Sequence, residues 1–79
     1  MRMNQAASKT CVRVIAIHGG KGLEAKLRQL GLLPGDMARV LRQAPFGGPL
    51  LIEIEGRSIA IGRGIAAKIE VEEMPGSCE

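Results

Sequence analysis

Apolar residues recur at helical spacing in one part of this chain and at strand spacing in most of the rest. Leu23, Leu27 and Leu30 stand at positions i, i+4 and i+7, which places all three on one face of a helix. The pattern therefore predicts one short helix over about residues 23–30, with its leucine face buried against the rest of the fold.

Glycine and proline mark both ends of this helix and the turn beyond it. Gly22 is an acceptable N-cap, and Gly31 supplies the left-handed residue that commonly ends a helix. Two residues later a type II turn is expected, because Pro34 fixes φ at its second position and Gly35 accepts a positive φ at its third. The chain is therefore predicted to leave the helix sharply and to enter a strand.

Five other segments have the alternating or continuously apolar composition of strands. They cover residues 10–18, 37–44, 50–55, 58–61 and 68–72. Gly56 and Arg57 connect the third and fourth segments, and glycine in the first position predicts a type II′ hairpin turn. Gly62 and Arg63 introduce a short helical turn over about residues 63–67.

Short strands joined by tight turns favour a small β-barrel, because closure removes exposed sheet edges. The prediction is a mainly β fold of about five strands, in which the helix closes one end of the barrel. This domain would cover residues 10–72. Residues 1–9 are expected to form a flexible N-terminal tail, and residues 73–79 a C-terminal tail.

Composition limits the classes of protein to which this chain can belong. Its 79 residues allow one domain with an aliphatic core, since Phe46 is the only aromatic residue. No apolar run approaches the ~20 residues of a membrane-spanning helix, and the first residues lack the apolar segment of a signal peptide. A cytoplasmic location is therefore expected, in which Cys11 and Cys78 would be free thiols.

The residues that carry catalytic or metal chemistry are few and scattered. His18 is the only histidine, and it is more simply a polar residue at a strand end than a general base. Cys11, His18 and Cys78 are weak metal candidates, because soft metals require three or four converging ligands. The sequence predicts no enzyme activity, no cofactor and no intrachain metal site, while a site shared between subunits through Cys78 stays open.

The glycine loop before the helix and the basic residues raise two binding alternatives. The loop around Gly20 lacks the spacing of a phosphate-binding P-loop and is more simply a turn that needs positive φ. Residues 1–42 carry eight Lys or Arg and two acidic residues, whereas residues 43–79 carry three and six. A basic half can attract nucleic acid, but a single aromatic residue leaves almost no base stacking, so nucleic acid is the weaker alternative.

A protein partner is the favoured ligand class, and Phe46 is its main candidate contact. This ring in a Pro/Gly loop is either a plug of the barrel or an anchor for a partner, and the sequence leaves both open. Leu51 faces outward from its strand beside basic residues and extends the same apolar patch. The proposed contact residues are Phe46, Leu51, Arg42, Arg39, Lys21 and Lys26.

These signals, taken in order, resemble the FeoA domain family. They are Gly-Gly-x-Gly-Leu, Lys-Leu-x-x-Leu-Gly-Leu-x-Pro-Gly-Asp, Ala-Pro-x-Gly-Gly-Pro-Leu, an Ile-x-Ile hairpin with Gly-Arg at its turn, and Ala-Ile-Gly-Arg before Ala-x-x-Ile-x-Val. The resemblance covers about residues 10–72. The structural motif residues are Gly20, Gly22, Leu23, Leu27, Leu30, Gly31, Pro34, Gly35, Gly62 and Arg63.

The resemblance implies an SH3-like small barrel and a non-enzymatic accessory protein of bacterial ferrous iron uptake. It implies binding to, and modulation of, the cytosolic side of a FeoB-type membrane transporter, without a small-molecule substrate or catalytic residues. The alternative is a regulatory or nucleic-acid-associated barrel, similar to the C-terminal module of DtxR-type metal-dependent repressors. A small barrel with open edges could also form a homo-oligomer.

Overall fold

The chain forms five strands, two helices and one 3₁₀ turn over residues 1–76, the part that the computed structural model describes. In chain order they are the 3₁₀ turn (Met3–Gln5), β1 (Thr10–Ile17), α1 (Gly20–Leu30), β2 (Met37–Gln43), β3 (Leu50–Ile54), β4 (Arg57–Ile61), α2 (Arg63–Ala66) and β5 (Ile69–Glu73). The strands form one antiparallel sheet in the order β4-β3-β2-β1-β5. The predicted mainly β fold with one short helix and one helical turn is confirmed.

Two β-bulges change the direction in which side chains point. One lies in β1 between Val14 and Ala16, opposite β5. Because a bulge adds one residue to the alternation, Ile15 is exposed while Ile17 packs against the core, although simple alternation predicts one face for both. The other bulge lies in β2 just before Arg42, where the sequence pattern already breaks.

The core is aliphatic and includes the leucine face of α1. Leu27 is buried, and Leu23 and Leu30 pack against the core from partly buried positions, so the predicted burial of this face is confirmed. The other large, fully buried side chains are Met3, Leu32, Leu50, Ile52, Ile54, Ile69, Val12, Val14, Val40 and Val71. In residues 1–76, no helix has the length and apolar character needed to span a membrane.

The helix α1 begins earlier than its leucine pattern predicts. Its first residue is Gly20, with Gly19 as N-cap, so Gly22 lies inside the helix and is not the cap. Gly20 has a φ of +85°, which glycine adopts without the steric cost that a Cβ imposes. Periodicity misses this first turn because the turn contains no apolar residue before Leu23.

The end of α1 and the turn that follows agree with the prediction. Gly31 is left-handed, with a φ of +90°, as a capping glycine should be. In the next turn Gly35 follows Pro34 with a φ of +97°. The Asp36 N–H donates to the Leu33 carbonyl at 2.9 Å, and the Asp36 carboxylate accepts the Leu33 N–H at 2.9 Å, so the turn is closed from both sides.

The hairpin between β3 and β4 has a different turn from the one predicted. Its two turn residues are Glu55 and Gly56, with φ values of +50° and +81°, and Ile54 pairs with Arg57. Positive φ at both positions defines a type I′ turn, whose twist matches that of paired strands. The predicted type II′ turn at Gly56 and Arg57 is therefore wrong by one residue.

The N-terminal segment packs onto the sheet, and the prediction of a flexible tail over residues 1–9 is wrong. Met3 and Ala6 are 0% and 1% exposed, and the Val71 N–H donates to the Met1 carbonyl at 2.7 Å. The sequence hides these contacts because two isolated apolar residues around a 3₁₀ turn have no detectable period. At the other end of the chain, the first residue of the predicted C-terminal tail, Glu73, belongs to β5.

Candidate protein-interaction surface

Phe46 projects fully into solvent from the loop between β2 and β3. Its relative exposure is 104%, so the ring is not a plug of the barrel. Phe46 and Gly47 have φ values of +57° and +76°, and the Gly48 N–H donates to the Pro45 carbonyl at 3.2 Å. These features describe a type I′ turn with an aromatic residue where glycine, asparagine or aspartate is usual, so the ring is held outward by a strained backbone.

A network of hydrogen bonds holds the base of this loop. The Arg63 guanidinium donates to the Gln43 side-chain oxygen and to the Ala44 carbonyl, both at 3.3 Å. The Gln43 amide in turn donates to the carbonyls of Asn4 and Ala6. The loop is therefore tied to α2 and to the N-terminal segment. The motif pattern singles out Arg63 as structural but contains no signal for Gln43, whose partners are far away along the chain.

The outer face of the sheet carries the other candidate residues near this loop. Leu51 pairs across β2 with Arg42 and across β4 with Ala60. The next row places Arg39 opposite Glu53. Leu51 is only half-buried, while both arginines are exposed. Phe46 lies in the loop that joins β2 to β3, and Leu51, Arg42 and Arg39 lie on those two strands. We group the four as one candidate surface, which we call the hairpin surface.

Lys21 and Lys26 do not belong to the hairpin surface. Both are exposed on α1, which follows the end of β1, whereas the Phe46 loop follows the end of β2. Because β1 and β2 run antiparallel, these two strand ends lie at opposite ends of the sheet along the strand direction, separated by about 20 Å for a seven-residue strand. The six predicted contact residues therefore divide between two separate surfaces.

The sequence matches one family model over nearly its whole length. The model is the FeoA domain, and the match covers residues 1–73. The chain belongs to the FeoA family. The match includes the N-terminal segment, which lies outside the motifs of the resemblance and which packs against β5.

Named FeoA relatives agree in sequence and in fold. A Methanocaldococcus jannaschii protein described as "Putative Fe(2+) transport protein A" is 40% identical over 62 residues, which are 78% of this chain and 73% of that protein. A crystal structure of an iron uptake regulatory protein (FeoA) superposes with a TM-score of 0.86 at 30% identity, covering 94% of this chain and 96% of the other. Stenotrophomonas maltophilia FeoA, described as a prokaryotic SH3 domain protein complexed with zinc, has a TM-score of 0.76 at 24% identity, with 91% and 89% coverage. The SH3-like fold is therefore confirmed.

The weak metal candidates of this FeoA-family chain have other roles in the structure. Cys11 is buried, and residues 1–76 contain no free cysteine, so the expectation of a free thiol at Cys11 is wrong. His18 lies against Glu70, with 2.9 Å between the ring Nε2 and the carboxylate. No cluster of three His, Cys, Asp or Glu residues occurs within the described chain, and Cys78 lies outside it.

The His18 contact sets the protonation behaviour of Glu70. The hydrogen bond from the imidazole is the main reason why the pKa of the Glu70 carboxyl is held below its ordinary value of 4.5; the charges of His18 and Arg2 act in the same direction. Both side chains are nearly half exposed. This contact therefore joins the end of β1 to β5 at the surface.

Proposed function

We propose that this FeoA-family chain is a cytoplasmic, non-enzymatic accessory protein of ferrous iron uptake. It would bind the cytosolic side of a FeoB-type membrane transporter and modulate transport. Family membership and the ferrous iron transport name of its relative support the iron connection. The proposal assigns no chemical step to the chain, only recognition of a protein partner.

The observation that carries this proposal is the fully exposed, conformationally strained Phe46. A non-glycine residue in the left-handed region costs about 1–2 kcal/mol, and an aromatic ring at a turn tip gains nothing from burial within its own fold. Strain of this kind motivates a functional hypothesis. A rigidly presented aromatic side chain with arginines nearby has the composition of a binding hot spot.

The hairpin surface would contact the transporter through both apolar and charged groups. Phe46 would enter an apolar pocket of the partner, and Leu51 would extend that apolar contact across the sheet. Arg42 and Arg39 lie at its edge, where positive charge would favour an acidic partner surface. The bracing of the loop by Arg63 limits the entropy lost when Phe46 binds, because the loop is already ordered.

Titration calorimetry of the full chain against the cytosolic part of a FeoB-type transporter, with and without guanine nucleotide, tests the proposal. We expect saturable binding that Phe46→Ala weakens by about thirtyfold or more, as for a hot-spot residue. Arg42→Glu should weaken it as well. The matched control is Leu33→Ala, which shortens an exposed apolar side chain at the opposite end of the sheet and should leave the affinity unchanged.

Two outcomes would contradict the proposal in different ways. If Lys26→Glu weakens binding while Phe46→Ala does not, the contact is on α1 and the hairpin surface is wrong. If no binding occurs in any nucleotide state, direct contact with the cytosolic part is wrong. The regulatory alternative predicts instead binding to duplex DNA whose affinity falls steeply with salt.

A further inference from the structure

The two edge strands of the sheet, β4 and β5, differ in whether another segment of the chain covers them. Along β5, the Val71 N–H donates to the Met1 carbonyl at 2.7 Å, and Arg2 forms an antiparallel bridge with Glu70. The N-terminal segment thus covers the β5 edge. Along β4, by contrast, no backbone hydrogen bond within residues 1–76 reaches the strand from outside its hairpin with β3.

The register between β3 and β4 shows which N–H and C=O groups of β4 are left without a partner strand in the described part of the chain. In an antiparallel pair, the residues that flank a two-residue turn exchange both hydrogen bonds, and bonded pairs then alternate with non-bonded pairs. Ile54 and Arg57 flank the turn, so every second residue of β4 after Arg57 bonds to β3. The N–H and C=O groups of Ser58 and Ala60 therefore point away from the sheet, and both residues are exposed.

The devices that usually block an open edge are missing from β4. Its five residues, Arg57–Ile61, contain no proline, and its pairing with β3 is regular without a bulge. Its one charged side chain is directed elsewhere, because the Arg57 guanidinium donates to the Leu30 carbonyl of α1 at 3.3 Å. Ser58 and Ala60 have small side chains that leave room for another strand.

We propose that β4 pairs with β4 of a second copy of this chain, as a symmetric antiparallel dimer centred on Ile59. With Ile59 opposite Ile59 of the second copy, Ser58 faces Ala60 of that copy and Ala60 faces its Ser58. The outward N–H and C=O groups of these residues then meet in pairs, forming four hydrogen bonds. The two five-stranded sheets become one continuous sheet.

The register favours a second copy over an unrelated strand because it is self-complementary. The alternation requires Ser58 and Ala60 to form bonded pairs and Ile59 a non-bonded pair, and the symmetric arrangement satisfies both conditions. Arg57 would lie opposite Ile61 of the second copy, so no like charges face each other across the strands. A contact confined to two strands of five residues each is small beside the interface of a permanent dimer, so dissociation on dilution is expected.

Sedimentation velocity of the full chain over a concentration series up to about 1 mM tests this dimer. Ala60→Pro removes the outward N–H without removing a hydrogen bond to β3, and edge strands tolerate proline in that position. It deletes two of the four hydrogen bonds and should weaken dimerisation by about thirtyfold. The matched control is Ala60→Thr, which keeps the N–H and should dimerise as the native chain does.

A direct measurement covers the case in which Ala60→Pro fails to fold. In a mixed sample of isotope-labelled and unlabelled chain, the proposed register places the Ile59 Hα atoms of the two copies close together, because non-bonded pairs have the shorter Cα separation. An intermolecular Hα–Hα contact at Ile59 supports the dimer. A chain that stays monomeric throughout the series, or a dimer without this contact, overturns it.

Discussion

At the scale of single residues, Phe46 is unfavourable for the stability of the fold, although it is the main residue of the proposed partner contact. Its ring is fully exposed and therefore contributes no hydrophobic stabilisation, and its backbone occupies the left-handed region at φ +57°. Asparagine tolerates this region much better than other side chains. Phe46→Asn should therefore raise the free energy of unfolding by about 1 kcal/mol, measured by urea denaturation, while it removes the proposed partner contact.

The matched control for this prediction is Phe46→Ala. Alanine removes the ring but keeps the strained φ, so its free energy of unfolding should stay close to that of the native chain. Both variants should lose transporter binding to a similar degree. A loss of more than about 1 kcal/mol in Phe46→Ala would show that the ring supports the fold, contrary to its full exposure.

The contact between His18 and Glu70 predicts a particular pH dependence of stability. Because the pKa of Glu70 is lower in the folded chain than in the unfolded one, the unfolded chain binds more protons in the intervening pH range. The stabilisation is therefore present above the ordinary value of 4.5 and is lost as the pH falls through the lowered pKa of the folded state.

Urea denaturation of the native chain and of Glu70→Gln, at about pH 6 and about pH 3, measures this effect. The native chain should be the more stable at the higher pH, and the two should converge at the lower pH. Added salt should reduce the difference, since both groups are half exposed. Glu73→Gln, on the same strand, is the control; an equal effect there would contradict a specific role for the pair.

The sequence identifies chemically unusual residues, but it predicts less well whether their side chains are buried and which residues they contact. Phe46 stands out as the only aromatic residue, yet plug and anchor are equally compatible with its Pro/Gly loop. The exposure of Ile15 depends on a bulge, and a bulge has no signature in the apolar pattern of β1. Gln43 and Arg63 act through partners distant in sequence, so the tertiary contacts have to be known before their role is visible.

At the scale of elements, substitution by alanine should change the stability of the chain in opposite directions at Gly22, inside α1, and at Gly31, the C-cap of α1. Gly22 lies inside the helix with open space where a Cβ would stand, whereas Gly31 has φ +90° and its Cβ would lie 3.2 Å from the Arg57 guanidinium. Gly22→Ala should stabilise the chain by about 0.5–1 kcal/mol through helix propensity. Gly31→Ala should destabilise it by about 1–2 kcal/mol.

Thermal or urea unfolding of both variants checks this pair, and each serves as the control for the other. If Gly22 were the N-cap, as the leucine pattern alone predicts, alanine there would be unfavourable. Destabilisation by Gly22→Ala would therefore support the later helix start and contradict the start at Gly20. Equal effects of the two substitutions would contradict the left-handed cap.

Local signals identify most elements but place their ends less well. The cap at Gly31 and the turn at Pro34 and Gly35 are predictable, because each depends on a residue with a restricted or permissive φ. The β3–β4 turn is predicted one residue too late, since a glutamate at positive φ is hard to anticipate and Glu55 occupies that position. Strand pairing decides this register, and pairing is not a local property.

At the scale of the whole molecule, the order of the strands determines which edges need protection. A linear pattern of five strands predicts a barrel, but it does not show that β4 and β5 form the edges of the sheet. The packing of the N-terminal segment against β5 follows only from this arrangement, and so does the open edge at β4. The fold at this scale therefore includes the contacts of the N-terminal segment with β5.

Met3 tests this view of the N-terminal segment. Its side chain is fully buried in the core cluster, so Met3→Ala should lower the free energy of unfolding by about 2–5 kcal/mol, as Leu27→Ala should in the helix. A flexible tail would show almost no effect. Ala7→Ser changes an exposed neighbour and is the control. Because stability in a domain of this size is small, the urea midpoint of Met3→Ala should fall clearly; an unchanged midpoint would mean that the segment does not complete the fold.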